Sequence, residues 1–140
     1  SETALDTAAE NATLNGVNIN YQKADVFDLL TDMKGSPYDF IILDPPAFTK
    51  SSKTARNAFF GYKEINKLAM KKLPRGGYLA TCSCSHFMPA AMFEKMLKEA
   101  ASESTVSLRQ IEARQQSPDH PILWNVPETD YLKFYIFQVV

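Results

Sequence analysis

Hydrophobic and polar positions along the chain follow two different periods. Apolar side chains recur at helical spacing over residues 1–15, 55–73 and 89–101, which predicts helices there. A turn and a short helix are predicted over 25–33. Shorter apolar runs, rich in β-branched and aromatic residues and flanked by turn residues, predict strands. These runs are 17–23, 38–43, 78–84, 106–114 and 131–140.

The order of these elements predicts an α/β fold. Helices and strands alternate along most of the chain, and this is typical of a parallel sheet with crossover helices. No helix is predicted between 106–114 and 131–140, where the connection is irregular. We therefore expect the last two strands to form an antiparallel hairpin at the end of the sheet.

Composition favours one globular domain without a basic surface. The chain has 140 residues, of which 45% are hydrophobic, and its net charge is −1. A free-standing nucleic-acid binder usually carries a basic surplus, so an RNA substrate would be held mainly by parts outside this chain. No run is apolar enough to span a membrane and no signal peptide opens the sequence, which predicts a cytoplasmic protein with no membrane partner.

The two cysteines, Cys82 and Cys84, are predicted to be free thiols. Two cysteines one residue apart along a strand have the wrong geometry for a disulfide, and the sequence contains no third cysteine. Two cysteines and two distant histidines do not have zinc-ligand spacing, so we expect no metal.

The strongest chemical motif is Asp44 followed by Pro45 and Pro46. A buried strand delivers this acid to its carboxyl end, where ligands bind in open α/β sheets. The two prolines fix the backbone and remove two N–H donors, which leaves carbonyls available to a ligand's amine. A rigid strand-to-loop turn would explain the same residues without any ligand.

Two further strand ends carry candidate functional groups. Cys84 ends the predicted strand 78–84, and a thiolate facing a cleft attacks polarised carbon, although a small buried side chain is the more common role of cysteine. Asp25 follows the predicted strand 17–23. It would either cap the next helix or accept a hydrogen bond from a nucleoside amine.

Several stretches, taken in their order, resemble the bacterial 23S rRNA (cytosine-C5)-methyltransferases. They are 9–12 with 14–16, 24–28, 44–48, 61–69, 76–85 and 119–121. The resemblance covers essentially the whole chain. The combined order is specific to that family, whereas no single stretch is.

The resemblance implies an incomplete Rossmann-like class I methyltransferase sheet. It would contain strands three to seven of the family's sheet, whose spatial order is 3-2-1-4-5-7-6 with the seventh strand antiparallel. Residues 1–140 would be the C-terminal part of one S-adenosylmethionine-dependent domain. The glycine-rich cofactor loop and an RNA-binding domain would lie upstream. A segment without the first two strands exposes strand edges, so we expect a homodimer, a swapped assembly or an abnormally packed third strand.

The resemblance also assigns catalytic and cofactor roles. By the family mechanism, the Cys84 thiolate adds to C6 of cytosine, and C5 then takes the methyl group of S-adenosylmethionine. Asp44 would hold the cytosine edge, and Asp44 and Pro45 would also contact the cofactor, Pro45 through its carbonyl. Asp25 would bind the adenine amine, and the Val26 backbone N–H would bind adenine N1.

Substrate contacts are expected next to Asp44. Pro46 and Phe48 would shape the target pocket, although Phe48 would equally suit core packing. Lys50, Lys53 and Arg56 lie in or after the following loop, where basic side chains either contact RNA phosphates of large-subunit rRNA or are simply solvated.

Three positions stay open at this stage. Some RNA cytosine methyltransferases carry a second cysteine after the proline pair. Here Ala47 stands there, so the base that removes the C5 proton is unnamed. Cys82 is predicted to pack in the core. His120 with Asp119 would be either an acid–base element or, more simply, a turn before the next proline.

Two other functions compete with cytosine methylation. An acid followed by two prolines at a strand end also serves amino-directed methyltransferases, which need no thiol. Alternatively, the chain is a non-catalytic fragment or an interaction module, because it contains no Gly-x-Gly-x-Gly loop. Because that loop holds part of the cofactor, we expect this chain by itself to bind S-adenosylmethionine weakly or not at all.

Overall fold

The computed structural model describes residues 2–48 and 55–140. The chain divides into two compact units, Ser1–Asp32 and Met33–Val140, and each is described by itself. Nothing in the described ranges is a helix long and apolar enough to span a membrane.

The first unit contains two helices joined by an extended segment. Helix α1 is Glu2–Leu14 and helix α2 is Val26–Asp32. The segment between them folds back along α1, because the Tyr21 hydroxyl donates a hydrogen bond of 2.8 Å to the Ala8 carbonyl. Lys23 and Glu2 form an exposed ion pair of 2.7 Å at the far end of this return.

The predicted strand at 17–23 is wrong. These residues are extended, but no strand in the described part of the chain pairs with them, and a strand is stabilised by such backbone pairing. Val17 and Ile19 are 49% and 55% exposed, so their alternation does not mark a buried face in this structure.

The second unit is an α/β sheet packed against two helices. Its elements, in chain order, are β1 (Phe40–Leu43), α3 (Ala55–Lys72), β2 (Tyr78–Ser83), α4 (Ala90–Ser104), β3 (Leu108–Arg114), a 3-10 turn at Pro127–Thr129 and β4 (Lys133–Val139). The strand order in space is β1-β2-β4-β3. β1 and β2 are parallel, and β4 is antiparallel to both of its neighbours.

This topology confirms the predicted α/β class and the final antiparallel hairpin. The order corresponds to strands four, five, seven and six of the expected sheet, with the last strand inserted between its predecessors. Apart from the predicted strand at 17–23, the predicted helices and strands differ from the observed ones only at their ends, by up to three residues.

The core of the second unit lies between the sheet and the helices. Tyr62, Ile65 and Ala69 form the buried stripe of α3, and Phe93 and Met96 belong to that of α4. Every β2 residue after the first is buried, as expected for a central strand. β1 is an edge strand of this sheet, and its Phe40 and Ile42 side chains are 46% and 69% exposed.

A glycine pair allows the chain to enter β2. Gly76 has a φ of 89°, which L side chains rarely adopt. At Gly77, a Cβ atom would lie 3.0 Å from the Pro74 carbonyl oxygen and 3.2 Å from that of Asp39. The pair is therefore required by local backbone geometry, for a different reason at each position.

Candidate functional site

Asp44 and Cys82 lie side by side where two parallel strands end. Leu43 of β1 pairs with Thr81 of β2, so the next residue of each strand also falls at the same level. The Cys82 thiol donates a hydrogen bond of 3.1 Å to Oδ1 of Asp44 and lies 3.6 Å from the Leu43 carbonyl oxygen. The strand register therefore brings the predicted acid to a thiol.

Cys82 is held in its protonated form. Burial raises the pKa of its thiol to about 12, and the hydrogen bond to the Asp44 carboxylate acts in the same direction. A negative charge on Cys84 also raises the pKa of Cys82, so both groups lie within electrostatic reach of it. Cys82 is thus a hydrogen-bond donor and the common neighbour of the two predicted catalytic residues.

Cys84 lies one residue beyond β2 and is exposed, as a free thiol. The residues on each side of it are buried. The Ser83 hydroxyl donates a hydrogen bond of 3.0 Å to the hydroxyl of Tyr62, and the Ser85 N–H donates one of 3.3 Å to Ser83 Oγ. This arrangement anchors the turn to α3 and leaves the Cys84 side chain accessible.

Tyr62 supports this turn from inside the core. Its side chain is fully buried, and burial raises the pKa of the phenol, while the Ser83 hydrogen bond lowers it. Charges on Cys84 and Cys82 also raise the pKa of Tyr62. The phenol therefore stays neutral at physiological pH.

Lys133 approaches the same turn from β4. It is paired with Ser83 in the strand register and is only 7% exposed. Its Nζ donates hydrogen bonds of 2.7 Å to the carbonyls of Ser85 and Tyr131. Burial lowers the pKa of Lys133, and the negative charges of Cys84 and Asp130 oppose this shift.

A hollow of about 320 Å³ adjoins Lys133. A second hollow, of about 530 Å³, contains Trp124, whose side chain is 99% exposed. The residues that line both are His86, Pro89, Ala90, Gln115 and Asp130. Together they form a concave surface between the turn after β2 and the connection that precedes β4.

Pro45, Pro46 and Phe48 follow Asp44 along the chain. Pro45 is buried and Pro46 is exposed. The Phe48 ring meets Tyr62 edge-on, at 4.7 Å between centroids, and covers Gly61, where a Cβ atom would lie 3.4 Å from the ring. Phe48 thus packs against α3, as the core-packing alternative requires, and its role in a target pocket stays a prediction.

The basic residues predicted to contact RNA are only partly described. Lys50 and Lys53 lie outside the described residues. Arg56 is exposed at the start of α3 and lines a separate apolar hollow with Phe59 and Phe60.

In the first unit, Asp25 caps α2. Its Oδ1 accepts hydrogen bonds from the backbone N–H groups of Phe27, at 2.9 Å, and Asp28, at 3.4 Å. The structure therefore shows Asp25 as the cap of α2, and the two capping bonds use Oδ1 and not Oδ2. Val26 is the first residue of α2, so helix geometry gives its N–H no intrahelical acceptor.

His120 and Asp119 lie in a turn. The His120 N–H donates a hydrogen bond of 2.9 Å to the Ser117 carbonyl, and the His120 ring lies 3.3 Å from the hydroxyl of Tyr131. Both side chains are exposed. Across residues 2–48 and 55–140, no three His, Cys, Asp or Glu side chains form a group that could hold a metal ion.

Comparison with known proteins relates the whole chain to one set of relatives. It is 40% identical, over its full length, to "Ribosomal RNA large subunit methyltransferase I" of Erwinia tasmaniensis, of which it covers 37%. The protein of the same name from Shewanella amazonensis is 42% identical over 99% of the chain, which covers 36% of it. That of Aeromonas salmonicida is 43% identical over 95% of the chain, which covers 35% of it.

The chain is thus similar along essentially its whole length to proteins named ribosomal RNA large subunit methyltransferase I. It spans a little over a third of the length of the relatives that it matches. No family model matches it.

Solved structures of other proteins share this fold. SMU.776, assigned as a methyltransferase and solved with SAH, superposes with a TM-score of 0.81 at 17% identity. The match covers 99% of this chain and 37% of that one. TrmN from Thermus thermophilus gives a TM-score of 0.63 at 21% identity, over 100% of this chain and 34% of that one. At these identities the likeness concerns the fold alone.

Sequence reasoning missed Lys133 and Trp124 as residues beside the candidate site. Lys133 had a detectable signal, because it is the one charged residue in the apolar run 131–140. Trp124 had none, since a tryptophan in an irregular connection usually packs inward. The position of Cys82 beside Asp44 depends on strand register, which no local sequence pattern records.

Proposed function

We propose that this chain is the C-terminal part of an S-adenosylmethionine-dependent methyltransferase that methylates C5 of a cytosine in large-subunit rRNA. The observation that supports this most directly is the row Asp44, Cys82 and Cys84 at one end of β1 and β2. A carboxylate and an accessible thiol at adjacent strand ends are the two groups that the covalent mechanism needs.

The residues present fit the adenine end of S-adenosylmethionine. Adenine offers an amine donor and the N1 acceptor. Oδ2 of Asp25 takes no part in the capping bonds, and the Val26 N–H lies at the start of α2. The Asp25 carboxylate could therefore accept from the adenine amine while the adjacent Val26 N–H donates to N1. Bound S-adenosylmethionine supplies an electrophilic methyl group.

The chain's own residues would activate the cytosine ring. The Cys84 thiolate forms a bond to C6, which moves electron density to C5 and makes that carbon nucleophilic towards the methyl group. Asp44 accepts a hydrogen bond from the cytosine edge and stabilises the electron-rich ring. Loss of the C5 proton to a base then expels the Cys84 thiolate and restores the ring.

The thiol of Cys82 would orient Asp44 for this task. A hydrogen bond from a group that stays protonated to about pH 12 holds Oδ1 in place, and Oδ2 can then face the base. Pro45 and Pro46, which lack N–H groups, would leave nearby carbonyls for the cofactor and the substrate.

The concave surface around Trp124 supports an RNA substrate. An exposed indole provides a stacking platform for an unpaired base, and His86, Gln115 and Asp130 offer polar partners beside it. Arg56, Lys50 and Lys53 would add contacts to phosphates. Such an enzyme would act in the cytoplasm, where ribosomal RNA is found.

The test is methyl transfer from radiolabelled S-adenosylmethionine to rRNA by the full-length protein. We expect Cys84→Ala to reduce the rate by at least three orders of magnitude, as is usual for a lost covalent nucleophile. Cys82→Ala should reduce the rate by much less, because it loosens the orientation of Asp44 but keeps the nucleophile. Nuclease digestion and mass spectrometry would identify 5-methylcytidine as the product.

An unaltered rate with Cys84→Ala would contradict the covalent mechanism. If the product were then an N-methylated base, Asp44 with the proline pair would be serving an amino-directed methyltransferase. If neither the wild type nor the variant transferred methyl groups, the chain would be a non-catalytic module.

A further inference from the structure

Lys133 is a buried cation. Among the described residues, no carboxylate lies within hydrogen-bond distance of its Nζ. Its two described bonds, each of 2.7 Å, go to the carbonyl oxygens of Ser85 and Tyr131. Burying an ammonium group is costly unless it is hydrogen-bonded and faces negative charge. A leucine or isoleucine would fill this place in a β-strand at lower cost, so the position of Lys133 calls for an explanation.

The bond from Lys133 to Ser85 closes the turn that carries Cys84. On one side, Ser83 is anchored to the hydroxyl of Tyr62 and accepts the Ser85 N–H. On the other side, Lys133 holds the Ser85 carbonyl. Both neighbours of Cys84 are therefore fixed, to α3 and to β4, while the thiol between them is exposed.

We propose that Lys133 is a positioning residue for Cys84, which holds the Ser83–Cys84–Ser85 turn through the Ser85 carbonyl and stabilises the Cys84 thiolate with its ammonium group. This inference rests on the proposed role of Cys84 as the nucleophile. The Cys84 thiol would release its proton to water, and Lys133 would keep its own protons throughout, so that no other reactant is needed.

The other titratable groups around this turn do not replace Lys133. The pKa values of Tyr62 on α3 and Cys82 on β2 are raised, which keeps both groups neutral near pH 7. Asp130 is negative and opposes a thiolate in the same region. The exposed side chains of His86 and Arg114 line the hollow beside Lys133 without a described bond to the turn. Among the groups with a described effect at Cys84, Lys133 supplies the positive charge.

The first test is the pH profile of Cys84 alkylation by iodoacetamide, in a Cys82→Ala background so that one thiol is followed. We expect Lys133→Met to shift the profile upward by about one pH unit, which is about a tenfold slower reaction near neutrality. Lys133→Arg should restore much of the wild-type profile. Lys98→Met, which removes an 81% exposed ammonium from α4, is the matched control and should change nothing.

The second test avoids any change at Lys133 and so does not depend on that variant folding. The Lys133 pKa is measured by NMR of its ¹⁵Nζ in the wild type and in Cys84→Ser, which alters an exposed side chain. Because coupling between two titrating groups is reciprocal, removing the thiolate should lower the pKa of Lys133. An unchanged Lys133 pKa, or a folded Lys133→Met with the wild-type alkylation profile, would overturn the proposal.

Neither readout requires RNA or methyl transfer. If Cys84→Ala kept full methyl transfer while Lys133→Met still shifted alkylation, the proposed function would be wrong and the Lys133–Cys84 coupling would stand. The opposite pair of results would remove the coupling and leave the proposed function intact.

Discussion

The Sγ atom of Cys82 lies 3.1 Å from Oδ1 of Asp44 and joins the ends of β2 and β1. A thiol is a weak donor, so such a contact gains strength only where the acceptor is charged and the donor is buried. Both conditions hold here, since Cys82 is 8% exposed and its pKa is raised to about 12. The contact fixes the Asp44 carboxylate to Cys82, which lies two residues before the exposed Cys84.

This contact predicts how stability depends on pH. The ordinary pKa of the thiol is 9.0 and the folded value is about 12. The thiol's contribution to the free energy of unfolding is therefore complete below about pH 9 and is lost as the pH rises towards 12. The loss is at most about 1.4 kcal/mol per pH unit. Cys82→Ala should lack this part of the decline, as measured by urea unfolding from about pH 8 to 11.

The matched control for that series is Cys84→Ala, which removes an exposed thiol and should keep most of the wild-type decline, because Cys84 is the smallest of the causes that raise the pKa of Cys82. Tyr135, whose pKa burial also raises to about 12, is present in all three proteins and cancels from the comparison. Parallel pH profiles for the wild type and Cys82→Ala would contradict the assignment of Cys82 as a buried, protonated donor.

Tyr62→Phe should destabilise the second unit by about 1–2 kcal/mol. The variant removes a buried hydroxyl and leaves Ser83 Oγ without the acceptor to which it donates at 3.0 Å. Equilibrium urea unfolding measures the change. Tyr38→Phe makes the same chemical change on a side chain that is 51% exposed, and should cost nothing measurable. Equal effects of the two substitutions would show that the Tyr62–Ser83 bond does not support the turn.

The glycine pair before β2 allows a test that separates two causes of destabilisation. Gly76→Ala should cost about 1–2 kcal/mol because of its positive φ of 89°, and Gly76→Asn should cost less, since Asn tolerates that region better. At Gly77 the obstacle is contact with the Pro74 and Asp39 carbonyls, so Asn should give no relief compared with Ala. Thermal unfolding of the four variants checks this, and a benefit of Asn at both positions would contradict it.

The sequence was sufficient for most of the sheet, because the run at β2 reflects the burial of a central strand and the runs at β1, β3 and β4 are rich in residues that favour strands. It failed at 17–23, where alternation is a local pattern but a strand requires a partner. It also missed the contact between Cys82 and Asp44, which depends on the register of Leu43 with Thr81, a relationship between segments 38 residues apart.

S-adenosylmethionine titrated into this chain should bind weakly or not at all in calorimetry. The adenine end has candidate partners in Asp25 and the Val26 N–H, but the sequence contains no Gly-x-Gly-x-Gly loop for the rest of the cofactor. Adenosine, which lacks the methionine part, is the matched ligand and should bind about as weakly. Tight binding of S-adenosylmethionine alone would show that other residues of this chain hold its methionine end.

Trp124 provides the last prediction, because it is the single tryptophan of the chain and is 99% exposed. Its fluorescence should be that of a solvated indole, and it should be quenched when a base of single-stranded RNA stacks on the ring. Such stacking contributes about 1–3 kcal/mol to the free energy of binding. Trp124→Ala should then weaken RNA binding by about tenfold or more in a gel-shift assay. Leu14→Ala, at an 83% exposed apolar residue of the first unit, is the matched control. Quenching by RNA without any loss of affinity in Trp124→Ala would mean that the indole lies near the bound RNA but does not stack on it.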